Sequence, residues 1–265
     1  MTPRSTDELR REEAQERERH DVMYAEERDR VRDLAMVPWD WEKFDRPDTG
    51  NSAYLTSVHW LGDIRGKTVL DLGCGTGWFS VILAKRGAAR VDGFDISGEA
   101  VAMAGERAEA NGVGEVCRFK EGSAYEIPFS DQAYDVVAGQ AIIHHLRDKE
   151  VVARELDRVM RSGAVAAFNE PFGDSPVFER LRQALPFRSD TDDPDHWMDK
   201  VTTEQIEPFR GRFDVRVRHF ELLFNLSRYA RFLERPLANL DRRLLAMMPP
   251  LRRVARGVVI GLQKP

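Results

Sequence analysis

From residue 67 onward, short apolar runs alternate with segments whose apolar positions recur every three or four residues. The runs at 67–72, 89–94, 116–121, 133–138 and 164–168 predict strands. The intervals at 78–86, 98–111 and 148–160 predict helices between them. Strict alternation of this kind implies a parallel sheet covered by helices on both faces. The near-continuous apolar character of the runs suits strands buried on both sides. Beyond residue 168 the pattern loosens. Helices are expected at 175–185 and 202–209, and a strand at 213–224 that includes Val215, Val217 and Phe220. One or two helices over 226–245 and a short last strand at 257–262 complete the chain.

The stretch before residue 67 follows different rules. Residues 4–33 are mostly Glu, Asp and Arg, with only Leu9, Val22, Met23, Tyr24, Val31 and Leu34 as larger apolar residues in or beside them. Opposite charges fall at helical spacing, Glu13 with Arg17 and Glu26 with Arg30, which predicts one or two solvent-washed helices. The apolar stripe is too thin for a coiled coil. Two readings stand: a solvated arm, or an arm that packs over an active site or onto a neighbouring subunit of a homo-oligomer. Residues 37–60 then crowd Trp39, Trp41, Phe44, Tyr54 and Trp60 around Pro38, Pro47 and Gly50. That density predicts a cap packed on the body, or a wall for an apolar or aromatic substrate. The division expected is an arm and aromatic cap over 1–60, and one α/β domain over 61–265 with cap or lid insertions at 171–200 and 225–250.

Composition narrows the field. A chain of 265 residues fits one large domain with a modest appendage. The net charge of -5 argues against a nucleic-acid binder, which needs a positive field. Two cysteines, Cys74 and Cys117, exclude a disulfide scaffold and a Cys-rich zinc site. No apolar run approaches the roughly 20 residues of a membrane span. The charged N-terminal stretch has no secretory h-region, so a cytoplasmic location is expected. The segment 226–264 is Arg-rich, which fits a solvated helical face or attraction to an acidic substrate or membrane surface.

The chemistry is concentrated in Asp71-Leu-Gly-Cys-Gly-Thr-Gly77. A buried strand ends at Asp71 and Leu72, glycines turn the chain, and a helix begins near Trp78. Glycines permit positive φ and a close approach of backbone to ligand, and the helix start offers free N–H groups. A dinucleotide fingerprint, G-x-G-x-x-G, would need glycine at position 78. Trp78 stands there and would obstruct close helix–strand packing. An NAD-dependent oxidoreductase is thereby disfavoured. The next strand ends at Asp95, where a carboxylate suits the two hydroxyls of a ribose.

The string D-L-G-C-G-T-G resembles the first motif of the class I S-adenosylmethionine-dependent methyltransferases, and the resemblance extends over residues 67–172. It implies a Rossmann-like, doubly wound sheet of seven strands whose last strand is antiparallel. It implies S-adenosylmethionine as cofactor, with Asp71, Gly73, Cys74 and Gly75 around its amino-acid part, Asp95 on the ribose and Ile96 against the adenine. Gly122-Ser-Ala-Tyr-Glu-Ile-Pro-Phe129 is similar to the family's G-D-A-x-x-L-P-F. The family's Asp accepts from the adenine amino group; here it is Ser123, an acceptor without charge assistance, followed by Ala124 with its backbone N–H. In Asp135-Val-Val-Ala-Gly-Gln-Ala-Ile-Ile-His-His-Leu146, the resemblance places Gln140 at the cofactor's amino-acid end and His144 and His145 near the methyl.

A sulfonium methyl is already activated, so the protein's tasks are alignment and removal of a proton. His144 and His145 are candidate bases, and adjacent histidines would not both point at substrate. Glu170, at the carboxyl end of the fifth strand, is the next candidate. His20, Tyr24 and Trp39 are candidate substrate contacts if arm and cap fold over the pocket. No metal is implied. The expected reaction is methyl transfer to a small apolar or aromatic acceptor in specialised metabolism, without a nucleic-acid partner. C-methylation of a terpenoid or alkaloid alkene through a carbocation held by aromatic faces, and a catalytically silent cofactor-binding partner protein, are the alternatives.

Overall fold

The computed structural model describes residues 6–31, 33–37, 53–175, 200–223 and 231–265. Its centre is a seven-stranded sheet in the order β3-β2-β1-β4-β5-β7-β6. The strands are β1 (Thr68–Leu72), β2 (Arg90–Asp95), β3 (Cys117–Glu121), β4 (Tyr134–Gln140), β5 (Met160–Pro171), β6 (Asp214–Phe220) and β7 (Gly257–Gln263). The first five pair in parallel, Val69 opposite Val91 and Val136. β7 enters antiparallel between β5 and β6, Phe168 opposite Ile260. The seven expected strands and the antiparallel last strand are present.

Alternation along the strands builds two cores. Leu70, Leu72, Val137 and Phe168 face Val152 and Leu156 of α5 (Lys149–Val159) and Ile206 and Phe209 of α6 (Thr203–Arg210). Val69, Val91, Val136 and Ala167 face the other way. There they meet α2 (Ala53–Leu61) and α3 (Trp78–Lys85), while α4 (Gly98–Ala110) adds Ala108. Near-parallel strands with both faces covered need this period of two, each strand feeding both layers. Local capping defines the helix starts. The Ser97 hydroxyl accepts from Ala100 N–H in α4, Asp148 accepts from Glu150 and Val151 in α5, and Thr202 with Gln205 forms a capping box at α6.

The appendages are arranged as follows. The charged arm is a single helix, α1 (Thr6–Arg30). The expected boundary at 60/61 falls inside α2, whose Val58 and Leu61 are core residues, so this part of the cap belongs to the body. Most of the insertion at 171–200, and residues 225–230 of the other, lie outside the described residues. The rest of the latter is α7 (Glu234–Met247), tied to the end of β6 by Asp241, which accepts from the N–H groups of Leu222 and Leu223. No helix among the described residues is long and apolar enough to cross a membrane.

Candidate functional site

The turn after β1 sits at the carboxyl ends of the central strands. Gly73 has φ +63, and a Cβ there would lie 2.5 Å from Ile142 Cδ1. Gly77 has φ +78, and its Cβ would lie 2.8 Å from the Ala104 backbone of α4. The close helix approach that a dinucleotide fold assigns to a glycine at position 78 is made here by Gly77. Trp78 turns towards Tyr54, ring centroids 5.8 Å apart. Arg107 braces the turn by donating to the Thr76 carbonyl at 2.7 Å.

Two buried acids hold this loop. Asp71, 1% exposed, accepts from the Ser80 hydroxyl at 2.5 Å. Burial pushes its carboxyl up to about 7. Asp95 accepts from Gly75 N–H at 2.9 Å and Ser97 N–H at 3.0 Å, coupling the glycine loop to the end of β2. Burial raises its pKa as well. Cys74 is buried in the turn with its thiol pushed well up by burial, so it is a packing residue without thiolate character.

Beside this loop lies a cavity of about 340 Å³, within the range of small-ligand pockets. Its floor and walls include Gly73, Asp95, Ile96, Ala124, Tyr125, Ile142, His145 and Arg147. Its roof is α1, through Glu12, Glu13, Glu16, Arg19 and His20. The arm thus packs over the pocket of its own chain. It does so with an inverted face: Glu13, Glu16, His20 and Tyr24 are half-buried at helical spacing, while Val22 is 57% and Met23 38% exposed. Polar contacts fix the register. Ser97 donates to Asp21 at 2.5 Å, Arg17 pairs with Glu121 at 2.9 Å, and Arg28 pairs with Glu99 and Glu106. Arg17 therefore does not make the expected pair with Glu13, because a better-placed carboxylate on β3 takes it. Glu26 and Arg30 do pair, at 3.3 Å.

The two histidine rings lie against each other, centroids 4.0 Å apart, and only His145 reaches the cavity lining. His144 is buried, its Nδ1 donating to Glu170 at 2.8 Å. Glu170 also accepts from the N–H groups of Ile142, Ile143 and His144. Glu170 is thus the brace of the loop after β4, below the pocket wall. His145 lines the cavity, and its Nδ1 donates to Glu16 at 3.0 Å. The same Glu16 oxygen lies 3.2 Å from His20 Nε2. The two histidines, by hydrogen bonding, hold the Glu16 carboxyl far below the usual range. Burial lowers the His145 pKa, so the ring is neutral near pH 7. His20 Nδ1 is buried without a partner among the described residues. Glu16, His20 and His145 bring three candidate metal-ligand atoms within 4.8 Å of one another. The two hydrogen bonds to one carboxylate oxygen account for that grouping.

The remaining sequence candidates fall as follows. Tyr24 sits over the loop, its hydroxyl 3.1 Å from where a Gly75 Cβ would be. Gln140 accepts from Asn169 at 3.1 Å and donates to Ser57 at 3.3 Å. Ser123 donates to Glu13 of the arm and accepts from Tyr125 N–H at 3.0 Å. Trp39, with Trp41 and Phe44, lies outside the described residues. Trp60 packs away from the cavity, against the backbone of Gly261 and under Arg216, 5.0 Å from its ring. Neither Glu13 nor Glu16 was a site candidate in the sequence. The signal was present: extending the His20–Tyr24 face back by helical steps reaches both.

Residues 70–168 match the methyltransferase domain family. Ajmaline N-methyltransferase of Rauvolfia serpentina is 39% identical over 98 residues, which is 37% of this chain and 34% of that one. A sterol 24-C-methyltransferase of Gibberella zeae is 33% identical over 124 residues, 47% of this chain and 32% of that one. The 27-O-demethylrifamycin SV methyltransferase of Amycolatopsis mediterranei is 32% identical over 124 residues, 44% and 46% of the two chains. The chain thus spans only about a third of the first two relatives' lengths. Among solved structures, geranyl diphosphate C-methyltransferase from Streptomyces coelicolor aligns with a TM-score of 0.58 at 14% identity, over 80% of this chain and 78% of that one. The [4+2]-cyclase SpnF aligns equally well, at 18% identity over 80% of both. By its sheet order, its glycine loop and these matches, the chain carries a domain similar to the class I S-adenosylmethionine-dependent methyltransferases.

Proposed function

We propose that this protein transfers the methyl group of S-adenosylmethionine to a small organic acceptor of specialised metabolism, with His145 taking the proton the acceptor loses. The carrying observation is convergence. Segments around Gly73, Asp95, Ala124 and His145 are far apart in sequence, yet they line one cavity under α1. The donor set fits the cofactor: Asp95 uses each oxygen once on backbone, and each keeps lone-pair capacity for a ribose hydroxyl. Ile96 and Ala124 offer apolar surface for a flat base. Bound S-adenosylmethionine supplies the electrophilic methyl.

The chain's residues then supply orientation and a base. Glu16 holds the Nδ1 proton of His145, leaving Nε2 as the acceptor nitrogen. Burial keeps the ring neutral, hence able to take a proton. Glu170 and His144 hold the loop that carries it. The relatives' names span N-, O- and C-methylation. The wall here, with Glu12, Glu16, Arg19, His145 and Arg147, favours an O–H or N–H acceptor over a carbocation route, which asks for aromatic faces.

Calorimetric titration with S-adenosylmethionine, S-adenosylhomocysteine and NAD, with Asp95→Ala in parallel, tests the reading. Binding of the first two, lost in the variant, is expected. Binding of NAD alone, or of none, would overturn it.

A further inference from the structure

The arm places an unassigned carboxylate, Glu13, one helical turn along from Glu16, the partner of His145. Ser123 has one hydroxyl proton, and it is given to Glu13; its oxygen already accepts from Tyr125 N–H. What remains at this corner is the acceptor capacity of Glu13, which has several unused lone pairs. Glu13 lines the cavity, and Ser123 is its one partner among the described residues. Arg17, one helical turn on, is occupied by Glu121 and does not neutralise it.

The position along the cleft is set by the sheet. Asp95 stands opposite Glu121 in register, and Gly122 N–H donates to the Asp95 carbonyl at 2.9 Å. Ser123 therefore follows directly beyond Asp95 at the edge of the cleft. Asp95, Ile96, Ala124 and Glu13 line one cavity, so a nucleoside whose ribose was held by Asp95 would have Ile96 and Ala124 for its base and the Ser123–Glu13 corner beside them. A carboxylate only accepts. It therefore suits an exocyclic amino group, which only donates, and repels a carbonyl oxygen at the same place.

We propose that Glu13 is a cofactor-binding residue, its carboxylate accepting from the 6-amino group of the cofactor's purine so that arm docking and base selection are one event. This rests on the S-adenosylmethionine reading above. The bond would be charge-assisted and part-buried, the kind whose loss costs about tenfold in affinity.

The test compares S-adenosylhomocysteine with S-inosylhomocysteine, whose base carries oxygen in place of the amino group, by titration calorimetry. The wild type is expected to prefer the amino form by at least about tenfold. Glu13→Ala should lose about tenfold on the amino form and little on the inosyl form, so that the preference collapses. Adding Ser123→Asp to Glu13→Ala should restore it by returning a carboxylate to the same corner. Equal loss on both ligands would show that Glu13 only holds the arm down, and unchanged binding would show that it does nothing; either overturns the proposal. If the wild type binds neither ligand, the cofactor reading itself fails, and the proposal with it. Wild-type binding without the variant effects defeats the proposal alone.

Discussion

Replacing Asp71 by Asn should make the protein more stable, and increasingly so as the pH rises. Asp71 is fully enclosed beneath the glycine loop, with one hydroxyl donor, Ser80. Burial raises its carboxyl from the ordinary 3.8 to about 7. An acid raised on folding adds stability that is complete below its unfolded pKa and disappears as the pH climbs through its folded pKa. The window here runs from 3.8 to about 7. At about 1.4 kcal/mol per unit, the whole effect is capped near ~4 kcal/mol. Between about pH 5 and pH 8 roughly 3 kcal/mol of it should be lost. Asn keeps an acceptor for Ser80 and carries no ionisable proton, so the variant lacks this loss. The assay is thermal or urea unfolding of both proteins across that range. The midpoint difference should widen in favour of the variant by roughly 5 °C or more on going from about pH 5 to pH 8. Other titrating groups largely cancel between two proteins differing by one atom pair. A difference that stays constant with pH would refute the claim that Asp71 is ionised at the expense of stability.

Glu170→Gln should lower stability by about 2–4 kcal/mol, because the loop after β4 loses a carboxylate that accepts three N–H groups and a histidine; chemical denaturation measures it. Gly73→Ala should cost about 1–3 kcal/mol and abolish cofactor binding, since its Cβ would strike Ile142 at 2.5 Å in a backbone of φ +63; a thermal shift with and without S-adenosylhomocysteine reads both. Glu16→Gln should lower the His145 pKa further, since Glu16 is the group that raises it against burial; an imidazole NMR titration following His145 would see the midpoint fall, and an unchanged midpoint would contradict the pair. A weaker base stays neutral to lower pH, so the acid limb of the activity profile should move down in pH while the maximal rate falls.

The sheet was legible because its chemistry repeats. Strands such as β1 and β4, buried on both faces, must be apolar at nearly every position, and that survives in a single sequence. Boundaries were less so: β5 begins at Met160 directly after α5, with a register shift near its start, where no turn residue marks the change. The glycine loop and Asp95 were legible because the backbone geometry admits few residue types. Glu170 and Gln140 were placed at the right strand ends, but which way an enclosed carboxyl or amide turns depends on donors brought in by other loops. The arm was the hardest part. A helix rich in Glu and Arg looks solvated all round, and its docking face is acidic and aromatic rather than aliphatic, so hydrophobic periodicity carries no trace of it. Only the step from His20 back to Glu16 and Glu13 hints at it.

The docked arm also bears on how the molecule acquires its pocket and admits its ligands. Its contacts join residues far apart in the chain: 110 positions separate Glu13 from Ser123, and 129 separate Glu16 from His145. The turn around Glu13 and Arg17 has no partner until Glu121 and Ser123 have been made, so the roof settles after the first three strands exist. Because it is held by polar contacts over a finished sheet, it can detach without disturbing either core, a local opening well below the cost of global unfolding. Hydrogen exchange in α1 should therefore be fast, slowed by cofactor and hastened by salt. The rate at which ligand enters and leaves would then be set by the first thirty residues of the chain.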